Sequence, residues 1–270
     1  MTSFESLNKA QIGVFGGSGF YKFLDDVEEI TVETPFGSPS DRYFVGKIGD
    51  KNVAFLPRHG RNHSIPPQKI NYRANVWGMK QLGVQQIISP CAAGSLQKEI
   101  EPGSFVILDQ YIDRTKGRED TFYEGPIATH VSAAEPYSDR LRQLAIKTAK
   151  ELQIPVYDEG TVVVINGPRF STKAESIWFT KMGWEIINMT QYPEVHLAKE
   201  LELETLGIAL ATDYDCGLEG DVDPVTHEQV IKVFESNLSN LRTFLFELIK
   251  VIPDEESCWK NKVIKSSRFL

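Results

Sequence analysis

The sequence is poor in cysteine and has no long apolar run. Its three cysteines, Cys91, Cys216 and Cys258, lie far apart and form no CxxC pair, so we expect neither disulfides nor a structural metal site. No segment has the length and apolarity of a membrane span, and the first ten residues, MTSFESLNKA, lack the apolar core of a secretory signal. These absences predict a cytoplasmic protein that has no membrane partner.

Clustered positive charge is scarce as well. Asp and Glu number 37 against 29 Lys and Arg, which gives a formal net charge of -8, and the basic residues are scattered except in the tail. A nucleic-acid groove needs a concentrated basic surface, so nucleic acid is not an expected partner. Internal repeats and Gly/Ser-rich or Pro-rich linkers are also missing, which favours a single domain over residues 1–270.

Cofactor fingerprints are absent from the first glycine-rich turn. The segment Gly16-Gly17-Ser18-Gly19 follows an apolar strand but lacks the GxGxxG spacing of dinucleotide sites and the lysine of a P-loop. No NAD or ATP cofactor is therefore expected. The backbone N–H groups and the Ser18 hydroxyl could hold an anion, or the four residues could form only a tight turn.

The sequence does contain a regular alternation of short apolar strands and amphipathic helices. This alternation predicts an α/β fold in which a central mixed β-sheet is flanked by helices. The predicted strands are 11–15, 43–48, 52–56, 86–89, 105–108, 161–165, 185–188 and 206–211; the predicted helices are 72–82, 138–152, 173–182, 194–201 and 226–251. Residues 115–136 are predicted to form a long functional loop.

Polar clusters follow several of these strands. The Arg58-His59 pair, with His63 close behind, suits an oxyanion because the planar guanidinium matches phosphate geometry. The two histidines could also bind a metal, but no third ligand is clearly placed, so no metal is expected. Further strands end in Asn166–Thr172 and in Met189-Thr190. Because open sheets bind ligands at strand carboxyl ends, the clusters predict a pocket for an anion and a nitrogenous base.

The last apolar strand ends in the motif ATDYDCG, residues 211–217. Side chains at i and i+2 of a strand share a face, so Asp213 and Asp215 are expected to lie side by side at its carboxyl end. Neighbouring carboxylates raise the proton affinity of one of them, and the pair can then offer one donor and one acceptor. The alternative is a solvated, Asp-rich turn that closes the strand.

Taken together, these motifs resemble those of the trimeric-type purine nucleoside phosphorylase family, and within it the 5′-methylthioadenosine phosphorylases. The shared motifs, in the order and spacing of that family, are GGSG at 16–19, PRHG at 57–60, NYRAN at 71–75, GSL at 94–96, GPRFST at 167–172, INMT at 187–190 and ATDYDC at 211–216. The match extends to about residue 251 and leaves residues 252–270 as a tail outside it.

The resemblance implies roles for individual residues. The implied phosphate ligands are Ser18, Arg58, His59, Thr190 and the backbone around Cys91 and Ala92. The implied nucleoside contacts are Met189, Phe170, Asp213, Asp215, His63 and His130, the last reaching into a neighbouring subunit, and the implied specificity positions are Ser171 and His227. A homotrimer, or a homohexamer made of two trimers, is implied as well.

The implied reaction is phosphorolysis of S-methyl-5′-thioadenosine to adenine and 5-methylthioribose 1-phosphate in purine and methionine salvage. It makes the chain a pentosyltransferase that uses inorganic phosphate as co-substrate and no cofactor or covalent intermediate. A protonated Asp213 would donate to N7 of the leaving purine, and Asp215 would accept from the 6-amino group.

Two positions depart from that family's pattern. Cys91 stands where a hydroxyl residue is common, so its side chain is expected to add little to phosphate binding. His227 stands where methylthioadenosine enzymes have a small apolar residue; the pattern Thr226-x-x-Gln229 predicts a capping box that puts His227 in the first helical turn. It could contact a 5′-hydroxyl or only face solvent.

Several other functions fit the residues. They are phosphorolysis of adenosine or 6-oxopurine nucleosides, hydrolysis of the same bond by a nucleosidase, purine binding without catalysis, and metal-dependent glycosyl transfer at the Asp-x-Asp pair.

Overall fold

One mixed β-sheet runs through the chain in this computed structural model, which describes residues 7, 9–16, 25–216, 218, 226–265 and 267, with only the backbone at 25, 26, 227 and 229. Within these residues the strands are β1 (Ile12–Gly16), β2 (Asp25–Ile30), β3 (Tyr43–Ile48), β4 (Lys51–Pro57), β5 (Gln86–Ser95), β6 (Phe105–Ile107), β7 (Gln110–Arg114), β8 (Val156–Tyr157), β9 (Thr161–Ile165), β10 (Ile186–Asn188) and β11 (Glu204–Tyr214). The helices are α1 (Tyr72–Gln81), α2 (Asp139–Glu151), α3 (Lys173–Lys181), α4 (Gln191–Glu200) and α5 (His227–Val251), and the α/β prediction is confirmed.

Strand β5 is the branch point of the sheet. Its first half pairs in parallel with β1, while its last residues pair antiparallel with β10. Its other edge pairs in parallel with β11 along nearly its whole length. The main path of the sheet has the strand order β2-β3-β4-β1-β5-β10-β9-β7. A second path leaves it at β5 and continues through β11, β6 and β8. The carboxyl ends of β5 and β11 therefore lie together.

Helices cover both faces of the sheet with apolar side chains. On one face, α2 and α5 contribute residues such as Leu141, Phe244 and Leu248, which pack on Ile208 and Leu210 of β11. On the other face, α1 and α4 pack on β1, β4 and β5 through a separate buried cluster. Strands β5 and β11 are consequently buried over most of their length, as their continuous apolar sequences indicate.

Three strands of the structure are missing from the sequence prediction. Strands β2 and β7 are rich in charged residues and lack a clear apolar alternation, and β8 has only two residues, so periodicity gives no signal for them. The last apolar strand is longer than predicted, because Asp213 and Tyr214 continue the pairing with β5.

The predicted long loop, 115–136, has no helix and folds onto α4 and α1. The Thr121 hydroxyl and the Phe122 amide donate to Glu200, and Arg73 of α1 forms ion pairs with Glu119 and Glu124 at 2.9 and 2.7 Å. The loop is therefore attached at several points along residues 118–124.

The C-terminal tail packs near the amino end of β11. Buried Glu204 accepts from the Ser138 hydroxyl at 2.5 Å, from Arg140 Nη2 at 2.9 Å and from the Cys258 amide at 2.8 Å. The amides of Asn261 and Ile264 donate to Glu202. The tail therefore contacts the end of β11 opposite Asp213.

Candidate active site

The central strand β5 opens to solvent at its carboxyl end. Its side chains are buried from Gln86 to Cys91, then Ala92 is exposed and Gly94 is partly exposed. Residues 92 and 94 share one face of the strand. A central strand that is exposed on one face only near its end marks a recess at the carboxyl edge of the sheet, where the sequence predicts the site.

The two aspartates border this recess on β11. A Cβ atom added to Gly94 would lie 3.0 Å from Asp213 Oδ1 and 3.5 Å from the Asp215 Cβ, so both carboxyl residues flank this glycine. The pairing register slips between Ala211 and Asp213, where Thr212 is an extra residue in β11. This bulge places Asp213 opposite Gly94.

The carboxyl group of Asp213 is held by its neighbour. The Thr212 hydroxyl donates to Asp213 Oδ2 at 2.7 Å. Burial, with a smaller contribution from the Asp215 charge, raises the pKa of Asp213 to about 6, against the Thr212 hydrogen bond that lowers it. A carboxyl group with a pKa near neutrality can serve as a general acid.

The second carboxyl group, on Asp215, is only 3% exposed. Burial raises its pKa, while the nearby hydroxyls of Ser176 and Ser171 lower it. Its Oδ2 atom nevertheless has no hydrogen-bond partner in the described part of the chain, and neither serine hydroxyl has one. Asp215 therefore offers an unpartnered acceptor beside Gly94 that a ligand can satisfy.

Arg58 lies in a buried ion pair. Its Nε and Nη2 donate to the two oxygens of Glu194 at 2.6 and 2.8 Å, and Nη2 also donates to the Ser89 hydroxyl at 2.9 Å. Burial lowers the pKa of Arg58, but the Glu194 carboxylate outweighs this and keeps the pKa above its ordinary value. Among the described residues Nη1 donates to the Pro90 carbonyl alone, at a long 3.4 Å, so it is the edge of the guanidinium that can still reach an anion.

His59 is held as a neutral imidazole. Its Nδ1 donates to the Ile65 carbonyl at 2.8 Å, and burial lowers its pKa to about 4. Its ring stacks on His63 with a centroid separation of 4.4 Å. In this state Nε2 is an acceptor, so within the Arg58-His59 pair the positive charge comes from Arg58.

Cys91 lies in the same buried network as Arg58. Its sulfur accepts from Asn188 Nδ2 at 3.2 Å, and burial raises the pKa of its thiol. The Gln191 amide donates to the Ser89 hydroxyl and, at 3.7 Å, to the Cys91 sulfur. Sulfur thus takes part in fixing α4 to β5, while Ala92 is the residue exposed to the recess.

The other implied contacts come from the ends of β9 and β10. Thr190 is the residue before α4, is 6% exposed, and makes no side-chain capping bond within the described chain. The Met189 sulfur lies 2.7 Å from the point where Gly167 would carry a Cβ, and Gly167 has φ +66°, so only glycine fits there. Phe170, three residues on, is 39% exposed.

Arg118 is a residue of this region that the sequence motifs do not reveal. Its Nη2 donates to Asn166 O and Met189 O, both at 2.9 Å, and its Nη1 donates to Tyr192 O. The guanidinium carbon lies 5.2 Å from the centre of the Tyr72 ring. Arg118 therefore joins the carboxyl ends of β9 and β10, a role that no local pattern signals because its partners are backbone carbonyls.

Two of the implied residues lie wholly or in part outside the described residues, and two others are exposed. Ser18 lies outside the described residues, and the side chain of His227 does too, although His227 is the first residue of α5. His130 is exposed, and its amide donates to Ser267 O in the tail. His63 is exposed, has φ +52° and stacks on His59.

The predicted capping box at Thr226 depends on the Gln229 side chain, which lies outside the described residues. A complete capping box occurs instead at Thr172 and Glu175 of α3. It fixes the segment that carries Ser171.

Metal-binding clusters and membrane-spanning helices are both absent from the residues that the structure describes. Within them, no group of three or more His, Cys, Asp or Glu side chains could hold a metal ion. No helix among these same residues is long and apolar enough to cross a bilayer.

The chain is similar to known phosphorylases over most of its length. The family profile described as phosphorylase superfamily matches residues 11–250. An S-methyl-5′-thioadenosine phosphorylase of Saccharolobus solfataricus is 50% identical over 260 residues, covering 94% of this chain and 95% of the relative. A purine nucleoside phosphorylase of Streptomyces coelicolor is 47% identical over 253 residues, covering 91% and 90%.

Solved structures agree with these sequence matches. A methylthioadenosine phosphorylase of Schistosoma mansoni in complex with adenine superposes with a TM-score of 0.90 at 39% identity, covering 96% of this chain and 99% of that one. The chain therefore belongs to the phosphorylase superfamily, in the group that contains 5′-methylthioadenosine and purine nucleoside phosphorylases.

Proposed function

We propose that this chain catalyses phosphorolysis of S-methyl-5′-thioadenosine, releasing adenine and 5-methylthioribose 1-phosphate. The observation that carries the proposal is the carboxyl pair beside Gly94, in which Asp213 has a pKa near 6 and Asp215 has an unpartnered oxygen. Relatives named S-methyl-5′-thioadenosine phosphorylase that cover almost the whole chain at 44–50% identity support the same reaction.

The carboxyl pair accounts for leaving-group activation. As the C1′–N9 bond breaks, its electron pair moves onto the purine, and a proton from Asp213 at N7 neutralises the developing negative charge. Asp215 accepts from the 6-amino group, so its unpartnered Oδ2 gains a donor. A 6-oxopurine would present an acceptor to this carboxylate, which disfavours that base.

Phosphate is both nucleophile and co-substrate in this proposal. One of its oxygens forms the new bond to C1′ as the purine leaves, and its proton restores Asp213, so that no proton is gained or lost overall. We place it beside Ala92, Thr190 and the Nη1 edge of Arg58. The unprotonated Nε2 of His59 accepts from the phosphate hydroxyl or from a ribose hydroxyl, which orients the nucleophile without adding charge.

A substrate panel tests the proposal. Methylthioadenosine, adenosine, inosine and methylthioinosine are incubated with the purified chain, with and without inorganic phosphate, and free base and sugar phosphate are measured. We expect adenine and 5-methylthioribose 1-phosphate from methylthioadenosine only when phosphate is present. Release of adenine at the same rate without phosphate would identify a hydrolase, and binding without release would identify a purine-binding protein.

Phosphorolysis of ordinary purine nucleosides is the second candidate. It is favoured by the 47% identical relative named purine nucleoside phosphorylase and by His227 at the start of α5. The same panel separates the two, because the second candidate predicts that adenosine or inosine has a higher kcat/KM than methylthioadenosine.

We further propose a homotrimer or a homohexamer in the cytoplasm. Light scattering measures the subunit number directly. In such an assembly the exposed His130 would lie beside a neighbouring subunit's recess, and His130→Ala would then lower nucleoside affinity without changing the molecular mass.

A further inference from the structure

Ser176 has an unusual environment for a serine inside a helix. It is fully buried in α3, and its amide donates to Thr172 O at 3.0 Å. A serine hydroxyl at such a position often bonds a carbonyl one turn earlier. The Ser176 hydroxyl instead has no partner among the residues that the structure describes. A buried polar group in this state is expected to have another role.

Two further unpartnered oxygens belong to the same region. They are the Ser171 hydroxyl, just before α3, and Asp215 Oδ2, just after β11. Ser176 and Ser171 both lie near enough to the Asp215 carboxyl to favour its ionised form, although neither has the geometry of a full hydrogen bond. The Cys216 thiol donates to Ser171 O at 3.5 Å and joins the two segments.

The chemistry of these groups is asymmetric. A serine hydroxyl has one proton to donate, whereas an ionised carboxylate can only accept. If the Ser176 hydroxyl donates a hydrogen bond to Asp215, the ionised form of this carboxyl group is favoured, and its remaining lone pairs can accept from an amine. A protonated Asp215 would instead donate, which suits a carbonyl at the same position of the base.

We propose that Ser176 is a positioning residue that holds Asp215 as an acceptor and so determines the choice of 6-aminopurines over 6-oxopurines. The inference rests on the proposed function, since it assigns Asp215 to the purine. It extends that function to a fully buried residue of α3 that acts through Asp215.

Other charged groups around Asp215 oppose this effect. Glu175 on α3 and Asp213 on β11 both disfavour a negative charge there, although Glu175 is bound by Arg169 at 2.7 and 2.8 Å. The Cys216 backbone amide favours it, and Lys173 acts on the neighbouring Cys216 thiol. Because burial and the Glu175 charge already raise the pKa of Asp215, loss of the Ser176 hydroxyl moves that pKa further upward.

The test compares Ser176→Ala with a matched control, Thr180→Val. Thr180 lies one turn further along α3, and its hydroxyl is likewise buried and without a partner in the described chain, but it does not act on Asp215. The substrates are methylthioadenosine and methylthioinosine, which differ only at C6, with kcat/KM measured for each between about pH 5 and pH 9.

We expect Ser176→Ala to lower the ratio of kcat/KM for the amino substrate over the oxo substrate about tenfold. The acidic limb of the methylthioadenosine profile should move up by about one pH unit, which corresponds to the same tenfold change. Thr180→Val should keep both quantities within about twofold of wild type. Ser176→Cys, which retains a weak donor, should give an intermediate shift and serves if the alanine variant does not fold.

Two outcomes overturn the inference in different ways. If the wild type releases adenine with phosphate but Ser176→Ala or Ser176→Cys matches Thr180→Val in ratio and profile, Ser176 has no part in base selection. If the wild type cleaves no adenine nucleoside in phosphate, the proposed function fails and the inference fails with it.

Discussion

A carboxyl group that keeps its proton near neutral pH carries a penalty for the fold as well as a use in catalysis. Burial raises the pKa of Asp213 to about 6 from an ordinary value of 3.8, so the folded chain holds this proton more tightly than the unfolded chain. The same burial makes the group a suitable acid for a purine that leaves with an extra electron pair. Stability and turnover are thus expected to change in opposite directions when Asp213 is replaced.

The turnover prediction concerns Asp213→Asn. The amide keeps the shape and can still accept from Thr212, but it has no acidic proton, so kcat for methylthioadenosine should fall by roughly 10²–10⁴-fold. Product release is measured at saturating substrate and phosphate. Thr180→Val serves as the control, and turnover of Asp213→Asn near the wild-type level would remove Asp213 from the role of general acid.

The stability prediction concerns the same variant as pH changes. Because the folded pKa is raised, the stability associated with the protonated group is complete below about pH 4 and is lost as pH rises through about 6. Asp213→Asn should therefore be more stable than wild type at pH 7 by about 1–3 kcal/mol, and equal to it at low pH. Urea unfolding at several pH values measures this; a difference independent of pH would contradict the raised pKa.

The sequence predicts the positions of only some of the site residues. The i, i+2 spacing correctly predicted that the two aspartates lie together, because strand periodicity is local. The protonation state of His59 is not predictable from the sequence, since it depends on the hydrogen bond to Ile65 O and on burial in the folded chain. Glu194, which binds Arg58, is 136 residues away in the chain, and no pattern connects two positions at that separation.

At the scale of elements, strand ends need partners for their carbonyl groups. Arg118 supplies donors to Asn166 O after β9 and to Met189 O after β10, so two neighbouring strand ends are held by one side chain from the long loop. The sequence predicts the loop and its functional character but gives no reason to single out this arginine. The strands that it failed to predict, β2, β7 and β8, likewise depend on pairing partners rather than on their own periodicity.

The element-scale prediction is that Arg118→Lys raises the KM for nucleoside more than it lowers kcat. A lysine keeps the charge but cannot donate to several carbonyls in one plane, so Met189 and the segment after β9 lose their fixed positions. We expect an increase in KM of about tenfold with kcat within about threefold. Arg114→Lys, at the exposed end of β7, is the control. An equal loss in kcat and in phosphate affinity would indicate general unfolding instead.

At the scale of the whole molecule, β11 connects the candidate active site to the docking site of the C-terminal tail. At its carboxyl end lies Asp213, and at its amino end Glu204 binds α2 and the C-terminal tail. The family profile covers the strand but stops at residue 250, before the tail. The tail's docking could not be predicted, since its contacts are mainly backbone amides that any sequence could offer.

The prediction at this scale is that Glu204→Gln lowers the free energy of unfolding and leaves kcat/KM per folded molecule unchanged. Burial raises the pKa of Glu204, but Arg140, Ser138 and the Cys258 amide outweigh it and hold that pKa below its ordinary value of 4.5. The stabilisation is therefore present above that value and is lost as pH falls further. Unfolding at pH 7 should show a loss of about 2–4 kcal/mol that shrinks in acid.

The control for that variant is Glu151→Gln, an exposed residue 3.8 Å from Lys147, which should change stability by less than about 0.5 kcal/mol. If Glu204→Gln also lowered kcat/KM per folded molecule, the two ends of β11 would be coupled, which the structure gives no reason to expect.

The bulge at Thr212 has a consequence for transplanting this site into another scaffold. In an uninterrupted strand the side chain of Asp213, three residues after Leu210, would point to the face opposite that of Leu210. The extra residue, Thr212, puts Asp213 on the same face as Leu210 and pairs it with Gly94. Chain length, not only chemical identity, thus encodes the position of the acid. An engineer who copied both aspartates onto a regular strand would obtain the right functional groups on the wrong side, whereas one who copied the odd residue with them would keep the geometry.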